Sequence, residues 1–220
     1  MNFNTAFPPA PWRYALSAAA ATLLFIGLAN LVVNHGAQTM NDQIYQLVAT
    51  LISPGWTLAM RVVSWLGEWY VALALALLLM LIPATRWRFG LVATSTVLLA
   101  GGLDQLLKFA LAQPRPPISQ WLVSEIGYGF PSGHATTAMV AAGLVCWIGW
   151  SCTSKPLWRA IICILSAFWF LTVGFSRVYL GVHYTSDVFG GWLLGMAVFS
   201  LVLLAWSLQR QKNTRPQPSQ

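Results

Sequence analysis

Charged residues are scarce in this chain. They make up 8% of its 220 residues, whereas a soluble domain carries about 25%. With 57% hydrophobic residues, such a chain would not stay in solution, which excludes a soluble globular protein. The three cysteines match neither a zinc motif nor a redox motif, and we interpret them as small apolar side chains.

Long apolar stretches are abundant instead, and their length favours helices over the short alternating strands of a membrane barrel. Each is near the roughly 20 residues that cross the hydrocarbon region. We therefore predict an all-α, polytopic membrane protein with six transmembrane helices in a bundle, its first span kept as an anchor and not cleaved as a signal peptide. The predicted spans are Tyr14–Val33, Glu68–Pro83, Phe89–Leu111, Ala135–Trp150, Trp158–Phe175 and Tyr184–Leu208.

A seventh stretch, Tyr45–Trp65, is interrupted by Ser53-Pro54-Gly55. The interruption predicts two short helices at the outer interface. Eight basic residues then fall on the side of the termini and four on the other. This asymmetry predicts cytoplasmic termini and a site that faces the periplasm or the outside. The compact size of the chain suggests a bacterial inner (plasma) membrane protein. We expect residues 1–210 to form the membrane domain and residues 211–220 a polar, disordered cytoplasmic tail.

Ionisable residues gather at the outer ends of the predicted spans, where such groups are costly and usually serve function. Converging cations repel each other unless an anion joins them, and a phosphate dianion suits arginine forks and a lysine. The net charge of +7 fits this site and the membrane topology, and we expect no nucleic-acid partner. The residues at this level are Lys108, Arg115, His134, Arg177, His183 and Asp187.

The segment Pro131-Ser132-Gly133-His134 opens the fourth predicted span. Ser132 is a suitable N-cap residue, and Gly133 lets the backbone approach a ligand closely. The free N–H groups of the helix start add an anion-binding element. The segment therefore predicts backbone donors beside an oxyanion.

His183 and Asp187 are four residues apart, so on a helix they share one face. The carboxylate can accept from one ring nitrogen, which leaves the other nitrogen with its lone pair outward, as a nucleophile requires. His134 comes from a different loop and is placed to protonate a leaving oxygen. With five acidic residues in the chain, a Mg²⁺ site is poorly supported, and a zinc site of two histidines and one aspartate is the less favoured alternative. We expect no metal and no other cofactor.

Three blocks of the chain resemble the signature motifs of the type 2 phosphatidic acid phosphatase (PAP2) superfamily. They are Lys108-x6-Arg115-Pro116, Pro131-Ser132-Gly133-His134 and Ser176-Arg177-x5-His183-x3-Asp187. The resemblance implies a metal-independent phosphatase that works through a phosphohistidine. It implies that His183 is the nucleophile, that Asp187 orients it, and that His134 is the acid and later the base. The residues that it assigns to phosphate binding are Lys108, Arg115, Ser132, Gly133 and Arg177.

The expected function is hydrolysis of a lipid phosphate or diphosphate, of the class of phosphatidic acid, phosphatidylglycerol phosphate or undecaprenyl diphosphate. A phosphotransferase with the same phosphoenzyme is the alternative, and a lipid or anion transporter is a weaker one because no internal repeat occurs. The expected partners are the substrate and membrane lipids, and the oligomeric state stays open. We interpret Asp104 as a partner of Lys108, and Glu125 and Tyr128 as loop filler.

Overall fold

Helices dominate the part of the chain that the computed structural model describes, residues 10–214. A π-helical turn, Arg86–Gly90, precedes the fifth α-helix, and a 3-10 turn, Ile118–Gln120, lies in the loop after it. No strand occurs between residues 10 and 214, so the predicted all-α membrane class is confirmed. The α-helices of this region are α1 Pro11–Val33, α2 Gln38–Ala49, α3 Pro54–Leu66, α4 Trp69–Leu81, α5 Leu91–Leu111, α6 Gly133–Cys152, α7 Pro156–Tyr179 and α8 Thr185–Thr214.

Five helices in the described region are long and apolar enough to cross a membrane by themselves, and they match five of the predicted spans. They are α1, α5 with the turn before it, α6, α7 and α8. The helix found in the predicted span Glu68–Pro83 is short: α4 has 13 residues and so a length of about 20 Å. Helix α4 makes a sixth crossing only together with α3, from which it is bent by 44°. Pro83 disfavours helical backbone at Ile82, which ends α4 early.

Helices α2 and α3 pack where α7 ends and α8 begins, which we call the upper end of the bundle. Asn41 of α2 donates a hydrogen bond to Ser186 Oγ at 2.9 Å. The backbone N–H of Ser53, just before α3, donates to the Tyr179 hydroxyl at 3.1 Å. Pro54 occupies the first turn of α3, as the predicted break requires.

Helices α1 and α8 run antiparallel along one side of the bundle. Ser17 Oγ lies 3.0 Å from Ser200 Oγ, and the Phe25 ring stacks on Phe130 near the upper end. The first residues of α1 and the last residues of α8 therefore lie at the opposite, lower end. Helix α8 continues to Thr214, so residues 211–214 are helical and not part of a disordered tail. Residues 215–220 of the predicted tail lie outside the described residues.

Glycines on α8 let this helix pack closely on α6. A Cβ atom on Gly191 would lie 2.5 Å from the carbonyl oxygen of Ser132, and one on Gly195 would lie 2.6 Å from that of Thr136. Real Cβ atoms do not come so near to backbone, so both positions require glycine. The close approach fixes the start of α6 against the first turns of α8.

We predict that Gly195→Val separates α6 from α8 and destabilises the fold by about 1–3 kcal/mol. The measurement is thermal unfolding in detergent, followed by circular dichroism. Gly27→Val is the matched control, because a Cβ at exposed Gly27 meets nothing within 4 Å. Equal unfolding temperatures for the two variants would contradict the packing role of Gly195.

Candidate active site

Lys108 joins the last turn of α5 to the loop that precedes α6. Its Nζ donates hydrogen bonds to the carbonyl oxygens of Pro131 and Tyr128. Asp104, one helical turn earlier, lies 3.8 Å from Nζ, as its interpretation as a partner of Lys108 requires. The lysine therefore both brings a positive charge to the upper end and holds the loop before α6 in place.

Helix α6 begins beside the first turn of α8. The backbone N–H of Ser132 donates to the Asp187 carbonyl oxygen at 2.9 Å. Ser132 occupies the N-cap position that the sequence predicts for it, but its side chain makes no capping hydrogen bond to α6. Its hydroxyl is fully buried and has no hydrogen-bond partner in the described part of the chain. A buried, unpaired hydroxyl at a helix N-terminus is suited to bind an anionic ligand.

Gly133 makes room for a neighbouring side chain. A Cβ atom there would lie 3.1 Å from Asp104 Oδ2. Thr136, one turn further along α6, donates to the other oxygen of the same carboxylate at 3.2 Å. The glycine thus lets Asp104 of α5 pack against the first turn of α6.

His183 lies just before α8 and is held through both ring nitrogens. Its Nδ1 is 3.2 Å from Asp187 Oδ2, an oxygen that also accepts from the Tyr184 N–H at 2.9 Å. Its Nε2 is 3.0 Å from Arg115 Nη1. A guanidinium can only donate, so Nε2 is the acceptor and Nδ1 carries the proton. The lone pair of Nε2 therefore points towards the cations of the upper end.

The surroundings of His183 favour its neutral form. Burial lowers the pKa of the imidazole well below its usual value, and the positive charges of Arg115 and Lys108 lower it further. The ring is thus an unprotonated base at neutral pH. A neutral imidazole with a fixed tautomer is the form in which histidine acts as a nucleophile.

Glu125 bridges the two arginines. One carboxylate oxygen accepts a hydrogen bond from Arg177 Nη2, and the other lies 3.6 Å from Arg115 Nη2. Arg177 also donates to the hydroxyl of Ser64 in α3. The interpretation of Glu125 as loop filler is therefore wrong. Its spacing from Arg177 along the chain carries no signal that could have revealed the contact.

Glu68 is a second acidic residue that sequence reasoning missed. It lies between α3 and α4, and its Oε1 is 3.2 Å from Nε2 of His134, the second residue of α6. From the sequence alone, Glu68 is only the first residue of a predicted span. The sequence contains one indication of its importance, a carboxylate at the edge of a long apolar stretch, where an ionisable group costs free energy.

All eight residues that the sequence selected for the site lie at the upper end. Hydrogen bonds and ion pairs, some through Asp104, Thr136 and Glu125, connect six of them: Lys108, Arg115, Ser132, Arg177, His183 and Asp187. Four segments supply them: the end of α5 with the loop after it, the start of α6, the end of α7, and the start of α8. Among residues 10–214, no three side chains of His, Cys, Asp or Glu are grouped as metal ligands. The arrangement suits a tetrahedral anion, with cations and N–H groups around it and a histidine on each side.

Comparison with known proteins identifies the family of this chain. A family model described as the PAP2 superfamily matches residues 87–212, which is more than half of the chain. This chain belongs to the PAP2 superfamily. The resemblance of the three motif blocks is thereby confirmed.

PAP2 relatives that this chain matches are named as phosphatases. It is 34% identical over 134 residues to an undecaprenyl-diphosphatase of Sulfolobus acidocaldarius, covering 59% of this chain and 60% of that protein. It is 30% identical over 192 residues to phosphatidylglycerophosphatase B of Bacillus subtilis, covering 82% of this chain and 90% of that protein.

Solved PAP2 structures share the fold. A crystal structure described as a transmembrane PAP2 type phosphatidylglycerolphosphate phosphatase from Bacillus subtilis superimposes with a TM-score of 0.74 at 25% identity, over 90% of this chain and 98% of that one. LpxE from Aquifex aeolicus gives a TM-score of 0.56 at 25% identity, over 74% and 94%. The protein is therefore a member of the PAP2 lipid phosphatase family.

We predict that ¹⁵N-histidine NMR in nanodiscs shows His183 as the neutral Nδ1–H tautomer down to well below pH 6.5. Arg115→Gln removes a positive charge from beside the ring, so the pKa of His183 should rise and the ring should protonate at higher pH than in the wild type. The chain has three histidines, so single substitutions assign the signals. Arg61→Gln, whose arginine instead binds the Leu122 carbonyl oxygen, should leave the titration unchanged. An unshifted titration in Arg115→Gln would contradict the electrostatic account.

Proposed function

We propose that this protein hydrolyses a lipid phosphate or diphosphate through a phosphohistidine on His183. The supporting observation is the geometry of that histidine: Nδ1 is bound to Asp187, and the Nε2 lone pair is directed at a cluster of cations. A phosphate there receives donors from Arg115 and Arg177. The unpaired hydroxyl of Ser132 and the N–H groups at the start of α6 complete a cradle for its oxygens.

The first step requires two contacts to open. Arg115 Nη1 moves its hydrogen bond from Nε2 of His183 to a phosphate oxygen. The guanidinium groups of Arg115 and Arg177 leave the Glu125 carboxylate and bind the phosphate instead. Nε2 then attacks phosphorus in line, and His134 gives its proton to the departing lipid oxygen. In the second step His134 takes a proton from water, whose oxygen displaces the phosphoryl group from His183 as inorganic phosphate.

A groove beside the site supports a lipid leaving group. It has a volume of about 320 Å³ and an almost wholly apolar lining, and it runs between α4, α6 and α7 from Glu68 towards the lower end. A chain that lies in this groove places its headgroup beside His134. The lining includes Val71, Ala72, Leu75, Ala138, Ala141, Val145, Leu165 and Trp169.

The names of the relatives support two classes of lipid substrate and do not favour one of them. Phosphatidylglycerophosphatase B matches most of this chain, whereas the undecaprenyl-diphosphatase matches a shorter part of it. We therefore propose a glycerophospholipid phosphate or a polyprenyl diphosphate as the substrate.

We propose that the reaction needs no metal ion, because the cradle consists of cations, N–H groups and one hydroxyl. Such donors neutralise phosphate directly, whereas Mg²⁺ is held by carboxylates. The carboxylates of this site are instead committed to histidines, arginines and Lys108.

We also propose that residues 1–210 form one membrane domain, with the site facing the periplasm and the termini in the cytoplasm. Arginines stack on tryptophans at the lower end, as at Arg159 on Trp150 and Arg210 on Trp206. Tryptophans mark either membrane interface, and an excess of lysine and arginine is typical of the cytoplasmic one.

We predict that His183→Ala lowers kcat for phosphate release by at least about 10⁴-fold, because the nucleophile is lost. His134→Ala should lower it by about 10²- to 10⁴-fold through loss of the acid and base. The assay uses purified protein and detergent-dispersed phosphatidic acid, phosphatidylglycerol phosphate and undecaprenyl diphosphate, with and without EDTA. A phosphoryl group on His183 should be trapped by rapid quenching into alkali and located by mass spectrometry.

Retained turnover in His183→Ala would contradict the mechanism, and turnover abolished by EDTA would contradict metal independence. Phosphate release only on addition of an acceptor alcohol would identify a phosphotransferase. Asp42→Asn, a change to an exposed carboxylate that pairs with Gln38 on α2, is the control and should keep full activity.

We predict that Ala141→Trp fills the groove and raises KM for long-chain phosphatidic acid by about 10-fold or more. KM for the dibutanoyl form should change little, since a short chain does not reach Ala141. The control is Ala20→Trp on the exposed face of α1, away from the groove. An equal effect on both chain lengths would show that the groove does not hold the lipid.

A further inference from the structure

The position of Glu68 is set by the packing of the helices on either side of it. Gly67 ends α3, and a Cβ atom there would lie 2.6 Å from Val173 Cγ1 of α7. The backbone carbonyl of Glu68 accepts the first hydrogen bonds of α4, from the N–H groups of Val71 and Ala72. Its side chain makes no capping bond to α4. The carboxylate is instead directed at α6.

The contact that Glu68 makes is with His134. Oε1 lies 3.2 Å from Nε2, with 12% of the histidine side chain and 29% of the glutamate side chain exposed. The pair matches that of His183 with Asp187, whose distance is also 3.2 Å. Each histidine of the site is thus held by a carboxylate through one ring nitrogen.

The two carboxylates bind different ring nitrogens of their histidines. Asp187 binds Nδ1 of His183 and leaves Nε2 for phosphorus, whereas Glu68 binds Nε2 of His134 and leaves Nδ1. Glu68 and Gly67 also line the mouth of the apolar groove. A lipid that lies in the groove therefore has its leaving oxygen on the side of this pair. A carboxylate at this distance holds the ring in one orientation and balances the charge of its protonated form.

We propose that Glu68 is a positioning residue that holds His134 as the proton donor to the lipid oxygen, an inference that rests on the proposed phosphatase function. When the P–O bond breaks, the lipid oxygen takes the bonding electrons and the proton of Nδ1. The neutral ring stays bound to Glu68 through Nε2–H. In the second step water gives its proton back to Nδ1 as its oxygen attacks phosphorus, and the P–N bond electrons return to His183.

The test compares two phosphate esters that carry the same dodecyl tail but differ in the leaving oxygen. Dodecyl phosphate releases an alkoxide, and dodecyl-nitrophenyl phosphate releases a nitrophenolate. A nitrophenolate leaves without a proton, whereas an alkoxide needs one. Glu68→Gln keeps the shape of the side chain and removes its charge. We expect it to lower kcat/KM for dodecyl phosphate by about 10- to 100-fold and for the nitrophenyl analogue by less than about 3-fold. Glu68→Asp should restore part of the loss, and Asp42→Asn is the control.

A double-mutant cycle separates positioning from a structural role. If Glu68 acts through His134, adding Glu68→Gln to His134→Asn should lower kcat/KM for dodecyl phosphate by less than about 2-fold. Equal losses on both substrates, additive losses in the cycle, or unchanged or faster turnover in Glu68→Gln would overturn the proposal. His183→Ala distinguishes the two levels: turnover retained there refutes the proposed phosphohistidine mechanism, whereas its loss beside an unaffected Glu68→Gln refutes only this inference.

Discussion

Burial of positive charge at one end of an apolar helix bundle is the constraint that organises this protein. Lys108, Arg115 and Arg177 would repel one another at this depth if nothing opposed them. Lys108 is opposed by Asp104 and by loop carbonyls, and both arginines by Glu125. These partners come from different segments, so neutralising the charges also determines how α5, α7 and the loop before α6 meet.

The two histidines of the upper end have different surroundings. His183 is enclosed among cations, and its Nδ1–H is committed to Asp187, so it is a neutral base whose lone pair faces the site. His134 opens α6 beside Glu68 at the mouth of the groove. Paired titratable groups whose environments differ in this way are how enzymes separate nucleophile from acid.

Backbone and side chains cooperate at the start of α6. Gly191 and Gly195 of α8 let α6 approach closely, and the Ser132 N–H binds the Asp187 carbonyl oxygen. The helix N-terminus is therefore held next to the histidine that Asp187 orients. Gly133 serves the same junction from the other side by admitting the Asp104 carboxylate. Small residues here let backbone and charged groups of different helices come close together.

Apolar length and local spacing were sufficient to predict the all-α membrane class, five of the spans and the pairing of His183 with Asp187. These features depend on residues close together in the chain, and a helix converts such spacing directly into a shared face. The short α4, the unpaired Ser132 hydroxyl and the contacts of Glu68 and Glu125 were decided by tertiary structure. Glu125 meets an arginine 52 residues away. A carboxylate so distant in sequence reaches its partner only through helix packing, and a one-dimensional pattern contains no measure of that packing.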